Sequence, residues 1–183
     1  MEILLNWDMV LFSAFVVLMA YNFILGQNAT IKLLLSIYIA IMTADGVAIA
    51  IRKYLVDPSP GWQDLLGAHE DTFFITLRLG LFLLSIVLFV VKGGFQIAVE
   101  EHEHWAARMG LHGIFAALAA LLFLSTVLIY VSGSSFVEGM LYAPDLSIYQ
   151  ESSMVRLLVD YYQLWFSLPG MCFLVASFVL NRE

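Results

Sequence analysis

The chain has 183 residues and a net charge of −7, with 62% hydrophobic but only 13% charged side chains. Its mean hydropathy of +0.90 excludes an ordinary water-soluble domain, which is roughly half apolar and about a quarter charged. The acidic balance leaves no basic patch for nucleic acid, and the single cysteine, Cys172, leaves no intramolecular disulfide and no cysteine-rich metal site.

A membrane crossing takes about 20 consecutive apolar residues. The first such run extends from about Ile3 to Ile24. Its length, and Glu2 where a basic region would belong, mark it as a retained span rather than a cleavable leader. The second runs from Ile31 to Ile51 and is followed by Pro58 and Pro60. After those prolines, Trp62, Leu65, Leu66 and His69 share one face of a short helix expected at the membrane interface.

The third span covers Phe73 to Val91. Beyond Gly93-Gly94, Phe95, Ala98, Val99, Ala106 and Met109 keep helical spacing, with Glu100, Glu101, Glu103 and His104 opposite them. The fourth span runs from Trp105 to Val131. In the polar segment after it, Arg156 and Asp160 are four apart and positioned to pair. The last apolar run, Leu164 to Leu180, is interrupted by Pro169-Gly170 and predicts a bent span or a re-entrant hairpin. The expected fold is an all-α, polytopic integral membrane bundle in one domain, residues 1–183. It has four transmembrane helices plus a fifth, bent or re-entrant hydrophobic helix. The basic residues divide almost evenly between the two sides and do not fix orientation.

Charges inside these runs need an explanation. Asp45 stands six residues before Ile51, so about 9 Å beneath the face where the second span ends. Arg78 stands five residues after Phe73, about 7–8 Å beneath the same face. Asp8 enters from that face as well. A charge at mid-membrane costs about 2.5–3.5 kcal/mol on insertion scales, which favours an Asp45–Arg78 ion pair with Asp8 and Tyr21 or Tyr38 as lesser partners. Two readings of this group stay open. In one the pair orients helices; in the other it lines a path for protons or a small ion.

Other features carry weaker chemistry. Gly110, Gly113, Ala116, Ala117 and Ala120 form a small-residue stripe that lets helix backbones approach closely, and Gly26 and Gly46 are further packing candidates. His112, about 10 Å from the opposite face, is read as a satisfied packing histidine, with a haem ligand or proton relay as the alternative. In EEHEH, His102 and His104 are two apart on a helix and point away from each other, so no metal site is expected. No spacing motif joins a serine to an intramembrane base, so the chain is not expected to be an enzyme, and no cofactor is expected.

Four stretches resemble the colicin V production family of small membrane proteins. NWD at residues 6–8 is similar to the family's acid at the start of the first span, and Gly26 to the glycine that closes it. AARMGLHGIFAALAALL resembles its glycine-spaced fourth span, and SSMVRLLVDYYQLWFSLP its amphipathic C-terminal helix ending near a proline. The chain departs from the pattern at Leu25, where the family places a basic residue, and in continuing past the proline with MCFLVASFVL. The resemblance implies a bacterial inner-membrane protein tied to toxin export and envelope homeostasis. The expected partners are membrane lipid and either further copies of itself or other membrane proteins. An ion pathway and the membrane anchor of a redox complex are the alternatives.

Overall fold

A computed structural model of the protein describes residues 7–92, 105–137 and 147–180, and these residues are mostly helical with no β-strand among them. Four helices are long and apolar enough to cross a membrane: Trp7–Leu25, Gln27–Val56, Glu70–Lys92 and Met109–Val131. The expected segment after Gly93-Gly94, including EEHEH, lies outside the described residues.

Helix α1 (Trp7–Leu25) and helix α2 (Gln27–Ile51) are separated by one residue, Gly26. Its φ of 83° is a conformation that a side chain resists. The Thr30 hydroxyl ties the reversal down by donating to the carbonyls of Asn22 and Gly26, both at 3.0 Å. Helix α2 continues into a π-helical turn over Arg52–Val56 and stops before Pro58. Proline disfavours helical geometry in the residue preceding it. Pro60 then opens the short helix α3 (Pro60–Leu66), the position where its missing N–H is no loss.

Helix α4 (Glu70–Lys92) has Glu70 and Asp71 in its first turn and Lys92 in its last, matching its macrodipole. It runs antiparallel to α2, as three pairs along its length show. The Lys32 ammonium donates to the Val90 carbonyl at 3.2 Å, Asp45 faces Arg78, and Arg52 pairs with Glu70 at 3.0 Å. The two backbones lie close because Ser36, Ala40, Ala44 and Ala48 recur every fourth residue on the buried face of α2.

Helix α5 (Trp105–Val131) is the central post. Leu122, Ile129 and Tyr130 pack with Ile37, Ile41 and Phe82 between α2 and α4. Leu124 packs with Leu11 of α1 and with Val155 and Leu158, while Phe115 and Leu118 meet Ile31 and Leu34. The helix ends in a Schellman motif. The Gly133 amide bonds the Tyr130 carbonyl at 3.0 Å, the Ser134 amide bonds that of Ile129 at 3.1 Å, and Gly133 takes φ 78°.

After helix α6 (Ser147–Glu151), helix α7 (Ser153–Asp160) lies against α1 and α5 with Val155, Leu158 and Val159 inward. Helix α8 (Tyr162–Leu180) then runs unbroken through Pro169. The chain does not reverse at Pro169-Gly170, so the hairpin alternative is set aside.

Candidate functional site

Where α2, α4 and the turn after α5 converge, the molecule encloses its polar centre. Arg78 Nε lies 3.8 Å from Asp45 Oδ1, and the two side chains are 4% and 0% exposed. At that distance the contact is ionic rather than a direct hydrogen bond. Other atoms of the two side chains bond the turn, while Asp45 Oδ1 and Arg78 Nε face each other without a hydrogen bond. Arg78 donates through Nη1 to the Gly133 carbonyl at 3.3 Å, and the Phe136 amide donates to Asp45 Oδ2 at 3.0 Å. The Ser135 hydroxyl lies against the carboxylate as well, and the Tyr130 hydroxyl donates to the Ile41 carbonyl at 3.3 Å.

The turn follows from its sequence. Gly133 permits the left-handed step that swings residues 134–136 back over the helix end, and a Cβ there would meet Ile75 Cδ1 at 3.6 Å. The carboxylate thus acts as an anchor for amides and hydroxyls of the returning chain, and the guanidinium answers both the carboxylate and the Gly133 carbonyl. Breaking a buried pair costs far more than forming it gains, so the arrangement specifies where the chain after α5 must go.

The other residues singled out from the sequence lie elsewhere. Asp8 does not join the pair. Its carboxylate accepts from the Ser152 hydroxyl at 2.5 Å, the Ser153 hydroxyl at 3.3 Å and the Met154 amide at 3.0 Å, at the start of α7. Two serines and a backbone N–H at a helix start suit an anion better than a distant guanidinium does. Tyr38 does not join it either, since its hydroxyl donates to the Phe166 carbonyl of α8. Tyr21 is exposed. Asp160 accepts from Tyr149 at 2.5 Å rather than forming the expected ion pair with Arg156. Tyr149, outside the spans, has its pKa raised because that hydrogen bond to Asp160 needs the phenol proton.

Among the small residues, Gly113 lies 3.5 Å from the Phe23 ring by the place of its missing Cβ, and Ala116 and Ala120 are buried. A Cβ at Gly46 or Gly110 would meet nothing within 4 Å, and Gly26 serves the turn between α1 and α2. His112 is buried edge-on to Phe23, centroids 4.9 Å apart. Neither of its nitrogens has a hydrogen-bond partner, so it is packed but not satisfied in the expected sense. Among the described residues no group of three His, Cys, Asp or Glu side chains converges.

Sequence reasoning missed Tyr130, the 133–136 turn and the Ser36-Ala40-Ala44-Ala48 row. Only the last had a signal available, its four-residue spacing. Nothing in the sequence announces that a backbone amide 91 residues away will bond Asp45.

No family model, curated protein or solved structure matches the chain.

Proposed function

We propose that the chain is a five-crossing integral membrane protein that works as a non-enzymatic component of a larger assembly. On this reading it acts in envelope maintenance or export in the bacterial inner membrane, in the manner of the colicin V production family it resembles. The observation that carries the reading is the use to which the intramembrane charges are put. Asp45 and Arg78 spend their bonding on each other and on the turn after α5, so they serve the fold's own architecture.

The outward surface supports the same reading. Met9, Phe12, Val17 and Ile24 on α1, and Leu84, Val87 and Val91 on α4, face away from the core. In water such a surface would be an aggregation hazard; in a bilayer it is matched by its solvent. Trp62 and Leu65 of α3 are exposed beside the ends of α2 and α4, which suits a short helix in the headgroup layer. Purification in mild detergent should yield an oligomer or a co-purifying membrane protein. A monodisperse, partnerless monomer across several detergents would count against the proposal.

A second reading is favoured by the same pair: intramembrane ionisable residues mark proton and ion paths by default. Vesicles containing the protein would then carry a proton or cation flux that Asp45→Asn abolishes. Vesicles that stay tight under every imposed gradient end that reading.

A further inference from the structure

Two polar side chains are buried in the seam between α1 and α5 with bonding capacity left over. His112 of α5 is 9% exposed and Asn22 of α1 is 2% exposed. Among the described residues neither imidazole nitrogen of His112 finds a hydrogen-bond partner, and Asn22 Oδ1 finds none either. The Asn22 amide is oriented by its other end. Its Nδ2 donates to the Ala116 carbonyl at 3.4 Å, which turns the oxygen elsewhere. The two residues are neighbours along the seam. Ala116 is one turn past His112 on α5, and Phe23, the residue after Asn22, packs edge-on against the His112 ring. Buried polar groups are nearly always bonded, to protein or to ordered water, so three leftover atoms in one seam ask for an explanation.

The chemistry of those atoms narrows the occupant. A neutral imidazole presents one donor and one acceptor, and Asn22 Oδ1 is a second acceptor. An anion would meet two acceptors, and a metal ion would find no group of three His, Cys, Asp or Glu among the described residues. A flat cofactor would need space that the protein already fills. The Phe23 ring lies 3.5 Å from the place of the missing Cβ of Gly113, and Ala116 is fully buried. Water is small, donates as well as accepts, and takes two to four polar partners inside proteins. It also has a short way in. His112 stands three residues after Met109, where the fourth span begins, and Asn22 three residues before the end of α1. Both therefore lie about 5 Å beneath the rim that carries the Gly26 link.

We propose that the α1–α5 seam below the Gly26 link is an internal hydration site in which water joins His112 to Asn22. The two ring nitrogens point in diverging directions, so more than one water molecule is required, and one of them donates to Asn22 Oδ1. His112 is then a hydrated imidazole within a helix long enough to cross a membrane, able to exchange its ring proton with water. It sits at the end of the bundle away from the Asp45–Arg78 pair. The inference stands apart from the function proposed above, since it needs neither partner nor transport.

The test uses the full chain with carbon-13-labelled histidine in micelles of dodecylphosphocholine, a detergent without hydroxyl groups. The carbon-bound ring protons of His112 do not exchange, so a nuclear Overhauser cross-peak from them to the water resonance reports water beside the ring. The signals are assigned after replacing His69, His102 and His104 with glutamine. The parent should show the cross-peak, and Asn22→Leu, similar in volume but without the amide, should lose it. Cross-peaks to detergent chains or other side chains, with none to water, overturn the proposal. So does a water cross-peak that keeps its full intensity in Asn22→Leu, because it would then come from the ring's own exchanging N–H or from water that Asn22 does not hold. If Asn22→Leu does not fold, the parent spectrum decides: a water cross-peak supports the site, and its absence refutes it.

Discussion

At the scale of single residues, the Asp45–Arg78 pair sets a clear asymmetry. Asp45→Ala removes the carboxylate facing a buried guanidinium and strips the Phe136 amide of its acceptor. The expected loss is about 3–5 kcal/mol of stability. The double replacement Asp45→Leu with Arg78→Met removes both charges and should recover most of it. Thermal unfolding in detergent measures both, and a double variant as unstable as Asp45→Ala would contradict the assignment. Exchanging the two charges should not rescue, although a bare ion pair would allow it. An arginine at position 45 would face amide and hydroxyl donors, and an aspartate at position 78 would face the Gly133 carbonyl. The pair was readable in the sequence because helix rise converts residue position into depth, and two opposite charges at equal depth on adjacent spans have reason to meet. The misassignment of Asp8 has the same root. Depth says nothing about direction around the helix, and Asp8 looks towards α7.

At the scale of elements, α7 depends on a residue from the far end of the chain. Its N-cap, Ser152, accepts the Val155 amide at 3.1 Å, while Asp8 takes the Met154 amide and the Ser152 hydroxyl. Asp8→Ala should lower stability, as the loss of a helix cap does. It should accelerate amide hydrogen exchange in α7 while leaving α2 and α5 unchanged; uniform acceleration throughout would contradict a local docking role. The sequence showed α7 as an amphipathic stretch, but not that its apolar face turns inward to Leu11 and Leu124. Amphipathicity fixes that a face is covered, not by what. Likewise Pro169 signalled an interruption in α8. The observed helix is continuous and packs against α5 and Tyr38 of α2, neighbours that local sequence does not contain.

Across the whole molecule, burial grades outward from α5. Ala120 is buried on that central helix, whereas Gly46 on α2 looks outward into open space. Ala120→Leu should therefore overpack the core and lower stability by about 1–3 kcal/mol. Gly46→Ala should stabilise the isolated chain by about 0.5–1 kcal/mol, because a mid-helix glycine loses backbone entropy and the new methyl meets nothing. Unfolding midpoints separate the two, and equal losses at both sites would overturn the inside-to-outside order. If copies of the chain associate through the Gly46 face, the same methyl should shift the species seen by size-exclusion chromatography towards the monomer.

The single-residue link at Gly26 bears on how such a chain is made. With Trp7–Leu25 and Gln27–Val56 joined by one glycine, there is no tail of polar chain for a translocation machine to push across ahead of the second arm. In the membrane-spanning reading, both arms enter the lipid together as a preformed hairpin. The Gly26 link itself then gives a protease almost no chain to grip.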